Sequence, residues 1–77
     1  MSIKKQWEIQ QKTALEKTII WAGGIPTLKQ ILGLKTTSII HGWVKNGRVP
    51  IKYAPLIELL SVGLIKKQEL RPDQKWD

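Results

Sequence analysis

The chain has 77 residues, of which 42% are hydrophobic, and it carries a formal net charge of +7. This length is enough for one domain and too short for two, and the apolar content excludes a chain that is disordered throughout. The absence of cysteine excludes disulfides, thiol catalysis and the usual structural zinc sites, and with His41 as the sole histidine the sequence supports neither a metal site nor a Ser-His-Asp triad.

The first predicted helix covers residues 4–22, which are mostly good helix formers without proline or glycine, and the Gly23-Gly24 pair predicts its end. Before residue 13 the apolar pattern is weaker, so two alternatives stay open: this segment continues the helix or folds back separately. Apolar residues at spacings of three and four predict one buried stripe, made of Leu15, Ile19 and Ala22, with Trp21 and Ile20 one face over.

A second, short helix is predicted at about residues 26–32. Pro26 suits its first turn, because the N–H that proline lacks would have no partner there. Gly33 stands where a left-handed residue ends a helix, and Leu34 supplies the apolar contact that often accompanies such an end. A sharp turn is therefore expected at Gly33. The apolar face of this helix consists of Leu28, Ile31 and Leu32.

A third helix is predicted at about residues 37–45. Thr36 or Thr37 is expected to cap it, because a threonine oxygen can accept a hydrogen bond from an unpaired N–H of the first turn. Helical spacing assigns Trp43 to the core, and places Ile39, Ile40 and Val44 inward or at the flank. The opposite face is short, polar and basic, and consists of Thr37, Ser38, His41 and Lys45.

The remaining part of the chain is also predicted to be helical. Asn46-Gly47 is a turn pair, and Pro50 is expected to open a fourth helix over residues 50–60. Pro55 within this segment predicts either a kink or a late start. Residues 64–70 are expected to add a final helical turn.

Helices 2 and 3 match the helix-turn-helix unit, in which two short helices are joined by a glycine-containing turn and the second helix enters the major groove. Many helical bundles that bind no DNA contain the same kind of hairpin, so this alternative stays open. The residues expected to hold the two helices together are Leu28, Leu32, Leu34 and either Ile39 or Ile40.

Positive charge is concentrated in the same part of the chain. Residues 1–22 have four lysines and two glutamates, and residues 49–77 have five basic and four acidic side chains, whereas residues 23–48 have four basic and no acidic ones. A cationic segment without carboxylates suits a polyanion, because neutralising phosphates releases condensed counterions. An ordinary solvated basic surface is the alternative.

Five ordered stretches resemble the phage Cro and YdaS-like helix-turn-helix family: Ala22-Gly23-Gly24, Leu28 to Gly33-Leu34, His41-Gly42-Trp43-Val44, Gly47-Arg48-Val49-Pro50 and Glu69-Leu70-Arg71-Pro72-Asp73. The resemblance implies a compact all-α, lambda-repressor-like domain of four to five helices over residues 13–77, preceded by an N-terminal extension at residues 1–12. It also implies homodimers on operator half-sites, in prophage regulators or antitoxin-like partners of toxins. Gly42 replaces the longer polar residue of many relatives, which leaves two alternatives: that base contact is absent, or it is made by His41 or Lys45 instead.

Ser38 and His41 are the main candidates for base contacts, and Thr36 is expected to act as a cap rather than a base contact. Lys35, Lys45 and Arg48 are expected to clamp phosphates, and for Arg48 a guanine contact or packing of its stem across Trp43 or a neighbouring ring are alternatives. Arg71 and Asp73 are expected to form an ion pair. The predicted DNA-binding residues are Thr27, Lys29, Gln30, Lys35, Thr36, Thr37, Ser38, His41, Lys45, Asn46 and Arg48.

These features predict a cytoplasmic transcriptional regulator, of Cro type, that binds operator DNA as a homodimer. No cofactor, metal, membrane contact or enzymatic activity is expected, because the chain offers neither paired carboxylates nor a phosphate-binding glycine loop, and no long apolar run. The alternative is an antitoxin-like or adaptor module that binds a toxin or another protein through its N-terminal segment. Exposed Trp7 and Trp76 would favour that alternative.

Overall fold

A computed structural model describes residues 3–76, and its longest element is an N-terminal helix, α1 (Ile3–Ala22). Within this range the chain is all-helical, as predicted, and contains no strand. None of these helices is long and apolar enough to cross a membrane. The elements that follow α1 are α2 (Ile25–Leu32), α3 (Ser38–Asn46), a 3₁₀ turn (Ile51–Tyr53), α4 (Ala54–Leu60) and α5 (Lys67–Leu70).

The core lies between these helices, since α1 packs against α2 and α5 while α4 packs against α5 and the 3₁₀ turn. Burying one large aliphatic side chain stabilises a fold by about 1.5–3 kcal/mol. Trp43 is 5% exposed, which confirms its assignment to the core, and its ring lies 5.1 Å from that of Tyr53. Fully buried aliphatic side chains come from all five of the described α-helices: Leu15, Leu28, Ile40, Ile57 and Leu70 are at most 2% exposed.

The helix α1 is continuous across residue 13, so Trp7 and Ile9 lie on the same helix as the buried stripe. The stripe itself differs from the predicted one at Ile20, which is 79% exposed. The buried positions fall at Ala14, Leu15, Thr18 and Ala22, and Ile20 lies about 200° around the helix from Thr18. Ile20 therefore points away from the core.

Gly33 ends α2 as predicted. It adopts a left-handed conformation with φ 69°, and the N–H of Leu34 donates to the carbonyl of Lys29 at 2.9 Å. Leu34 is partly buried against the core, which is the apolar contact that accompanies this kind of helix end. A residue with a Cβ would be strained at this φ, so Gly33 sets the direction in which the chain leaves α2.

The predicted threonine cap of α3 is wrong. Thr37 occupies the position before the first helical residue, Ser38, but its φ of −70° and ψ of −18° are helical, and no side-chain capping bond is formed at this end. A capping side chain needs a more extended backbone to reach the free N–H groups. Thr36 lies one residue further from the helix and forms no such bond either.

The fourth helix starts late, which was one of the two alternatives that Pro55 predicted. The α-helix begins at Ala54 with Pro55 in its first turn, while Pro50 precedes the 3₁₀ turn, in which the N–H of Tyr53 donates to the Pro50 carbonyl. An α-helix starting at Pro50 would need the N–H of residue 55, which proline lacks. The predicted start at Pro50 is therefore wrong. The final helical turn predicted within residues 64–70 corresponds to α5, which covers Lys67–Leu70.

Candidate nucleic-acid interface

The helices α2 and α3 are joined by a turn at residues 33–37 and are held together by apolar side chains. Leu28 of α2 and Ile40 of α3 are both fully buried. Ile39 is 39% exposed, so Ile40 rather than Ile39 is the residue of α3 that holds this pair in place. Leu32 and Leu34 are partly buried against the same core. This packing leaves the opposite face of α3 largely exposed.

The free face of α3 presents polar side chains along two turns of the helix. Ser38, His41 and Lys45 are all exposed, at spacings of three and four residues, and Thr37 is partly buried at the start of the helix. Gly42 lies between them, and a Cβ built on it meets no other atom within 4 Å. Packing within the domain therefore does not require a glycine at this position.

The cations around α3 have no compensating partner among the residues that the structure describes. No ion pair or aromatic contact is formed by Lys35, Lys45 and Arg48, all of which are exposed, nor by the partly buried Lys29, within the part of the chain that the structure describes. Of the cations outside this segment, Lys17 pairs with Glu69, Arg71 pairs with Asp73, and Lys52 and Lys67 lie over aromatic rings. Three further exposed lysines outside it, Lys12, Lys66 and Lys75, form no ion pair among the described residues, but carboxylates occur in their parts of the chain.

The other predicted contacts flank this face at both ends. Thr27 and Gln30 are exposed on α2, and Thr36 is exposed in the turn before α3. Asn46 is the last residue of α3 and is also exposed. The predicted residues therefore belong to α2, the turn, α3 and the loop that follows it. Ser38, His41 and Lys45 are the members that share one helix face.

Beyond the end of α3, Arg48 lines a cleft that sequence analysis did not predict. The cleft has a volume of about 470 Å³, and its second wall is the N-terminal half of α1. An adjoining cavity of about 280 Å³ shares part of this wall and also reaches Trp7 and Asp73. Arg48 thus lies across the cleft from α1, and it lines the adjoining cavity together with the Trp7 ring. The cleft is lined by Glu8, Gln11, Lys12, Asn46, Gly47 and Arg48.

A hydrogen-bonded network behind this cleft confirms the predicted pairing of Arg71 with Asp73. The guanidinium of Arg71 donates to both carboxylate oxygens, from Nε at 2.9 Å and from Nη2 at 2.8 Å, and its Nη1 donates to the carbonyl of Val49 at 3.2 Å. The Gln11 side chain donates to the same carboxylate at 3.0 Å. The hydrogen bonds from Arg71 hold the pKa of the Asp73 carboxyl well below its ordinary 3.8, against the opposing effect of burial.

Trp76 belongs to the same network and is not the exposed side chain that was expected. It is partly buried against the core, and its indole N–H donates to the carbonyl of Arg71 at 3.0 Å. The Nζ of Lys67 lies 5.4 Å from the centre of its ring. Trp7 is 37% exposed and keeps part of its surface available.

Comparison with known proteins gives one match. Residues 15–77 match the model of a family described as the bacterial toxin YdaS. This range includes every residue of α2, α3, α4 and α5. No curated protein and no solved structure matches the chain. The matched region leaves out the first part of α1, and with it the α1 wall of the cleft beside Arg48.

Proposed function

We propose that this chain, which belongs to the bacterial toxin YdaS family, binds double-stranded DNA through α2 and α3 and regulates transcription. One observation carries the proposal: the exposed face of α3 is bordered by cations that have no partner within the described residues, in a segment without a carboxylate. An acid-free group around one polar helix face suits the phosphates on both sides of a major groove.

In this proposal the contacts divide into two classes. Ser38 and His41 face the bases, where a hydroxyl and an imidazole can each exchange a hydrogen bond with a base edge. Phosphate contacts set the affinity and the position of the helix. They come from Lys35, Lys45 and Arg48, with Thr27, Lys29, Gln30, Thr37 and Asn46 at the edges of the interface.

The finer proposal is a Cro-type phage or prophage repressor that binds an operator as a homodimer. One recognition helix contacts only a few base pairs, so specificity for an operator generally requires two helices on two half-sites. The family assignment and the helix-turn-helix geometry support DNA binding in general. The repressor role and the dimer rest on the resemblance to Cro proteins.

Selection of bound duplexes from a random library, at a stated salt concentration, tests this function. We expect one enriched motif, repeated at a centre-to-centre spacing of about 10 base pairs for a dimer. His41→Ala is expected to relax the preference at one or two positions of each half-site, at a cost of about 1–3 kcal/mol for the preferred base. A library without enrichment, or the same motif at the same strength for His41→Ala and Ser38→Ala, contradicts the proposal.

Gly42→Ala separates stability from DNA binding. The added methyl meets open space within the domain and replaces the poorest helix former after proline, so the free energy of unfolding is expected to rise by about 0.5–1 kcal/mol. Gly42 lies on the same face as Ser38 and Lys45, so the methyl group enters the proposed interface and DNA affinity is expected to change. Urea unfolding and fluorescence anisotropy measure the two effects. A variant that is more stable and binds DNA as tightly as the wild type contradicts the placement of this face.

A second candidate is a protein-interaction module that pairs with a toxin or antitoxin. The observation that favours it is the exposed apolar surface on the N-terminal half of α1, where Ile9 is 51% and Trp7 is 37% exposed. Side chains of this size at the surface often mark contacts. A partner that co-purifies at a fixed ratio, in salt that removes DNA, and is lost with Trp7→Ser and Ile9→Ser would favour this candidate.

A further inference from the structure

The cleft between α1 and the end of α3 brings together two cations that are far apart in the sequence. Lys12 lies on α1, and Arg48 follows α3 on the opposite wall. Neither forms an ion pair within the described part of the chain. Two cations that line the same cleft repel each other, and an anion between them is attracted to both. The chemistry of the cleft therefore favours an anionic group.

A residue next to each of these two cations is held by the network behind the cleft. Gln11, which precedes Lys12, donates to the carboxylate of Asp73 at 3.0 Å. That carboxylate holds Arg71, whose Nη1 donates to the carbonyl of Val49, the residue after Arg48. Gln11 and Arg71 are 5% and 7% exposed, so water competes little for these bonds. The backbone positions beside Lys12 and Arg48 are thus linked through an unbroken chain of hydrogen bonds.

The one carboxylate that lines this cleft, Glu8, lies one helical turn before Lys12 on α1. It forms no ion pair with Lys12 or Arg48 within 4 Å among the described residues. Its negative charge lowers the positive potential of the cleft, although Glu8 forms an ion pair with neither cation. Glu8 therefore opposes the entry of an anion, and its removal should favour entry.

We propose that this cleft binds a backbone phosphate of the DNA bound to α3, and that Lys12 adds a second cation to the phosphate contact proposed above for Arg48. The proposal rests on the DNA binding proposed above and extends it to α1. Asn46 lines the cleft and also ends α3, so the cleft is continuous with the interface on that helix. Lys12 precedes the matched residues 15–77, so this contact belongs to the N-terminal part of this particular chain.

The test compares three single variants of the full chain in DNA binding at several salt concentrations. Lys12→Gln is expected to weaken binding about 3- to 10-fold and to lower the slope of log K against log salt by about 0.9, the loss of one phosphate contact. Glu8→Gln is expected to tighten binding about two- to fivefold, since it removes an opposing charge near the surface. Lys17→Gln makes the same charge change on the same helix outside the cleft, and less than about a twofold change is expected.

The outcomes separate the cleft from the function as a whole. If the wild type binds DNA, Lys12→Gln weakens that binding and Glu8→Gln tightens it, the phosphate site is supported. Wild-type binding with equal effects of Lys12→Gln and Lys17→Gln, or weaker binding by Glu8→Gln, overturns the site and leaves the DNA-binding function standing. A wild-type chain that binds no DNA at low salt overturns both. Glu8→Gln also controls for loss of folded protein, because a destabilised fold would weaken DNA binding rather than tighten it.

Discussion

Asp73→Asn is expected to lower the free energy of unfolding by about 2–3 kcal/mol, the largest stability effect of any single polar substitution proposed for this chain. The carboxylate accepts two hydrogen bonds from Arg71 and one each from Gln11 and Gln74. The side chain of Arg71 is only 8% exposed, so its charge would lose its partner in a place that water hardly reaches. Removing one partner of a buried pair costs about 3–5 kcal/mol, and the 21% exposure of Asp73 moderates that cost.

Urea unfolding followed by circular dichroism measures this effect, and Glu69→Gln is the matched control. It also neutralises one carboxylate of an ion pair, but the Lys17–Glu69 pair is exposed, with 47% and 29% of the two side chains accessible. Exposed pairs contribute about 1 kcal/mol or less. Equal destabilisation by Asp73→Asn and Glu69→Gln would contradict the structural role assigned to the network.

The same substitution should also remove a pH dependence. The pKa of Asp73 is lowered in the folded state, chiefly by the hydrogen bonds from Arg71, so its contribution to stability is present above the ordinary pKa of 3.8 and is lost as the pH falls below it. The difference in stability between the wild type and Asp73→Asn should therefore be constant near neutral pH and shrink as the solution is acidified below about pH 4. A difference that stays constant down to pH 2 would contradict this account.

The triple variant Lys35→Gln, Lys45→Gln and Arg48→Gln is expected to lose roughly 100-fold in DNA affinity at moderate salt, because three charge-assisted phosphate contacts disappear together. The slope of log K against log salt should fall by about three times 0.9. Stability should change little, since all three side chains are exposed and unpaired within the described residues. Anisotropy titrations of the selected duplex at several salt concentrations give both quantities.

A second triple variant, Lys17→Gln, Lys66→Gln and Lys75→Gln, serves as the control. It removes the same total charge from exposed lysines outside residues 23–48. If binding depends on the position of the cations around α3, this variant keeps most of its affinity and salt dependence. Equal losses in the two triple variants would mean that net charge alone governs binding, and would contradict a defined interface on α3.

Sequence spacing alone was sufficient to predict the structural features that depend on residues close together in the chain. The end of α2 at Gly33 was predictable because only a residue without a Cβ adopts its φ of 69° without strain. The exposed positions of Ser38, His41 and Lys45 follow from helical periodicity once Ile40 and Trp43 are buried. The acid-free segment at residues 23–48 is a property of composition and needs no structure.

Other features were decided by tertiary packing, because they depend on contacts between distant residues or on the backbone conformation that packing imposes. Thr37 has the residue type of a cap, but the approach to α3 leaves it with helical φ and ψ, so its oxygen forms no capping bond. Trp76 is partly buried against the core and donates to the carbonyl of Arg71, five residues before it. The cleft between Lys12 and Arg48 joins residues that are 36 positions apart, and no local pattern specifies that α1 lies beside the end of α3.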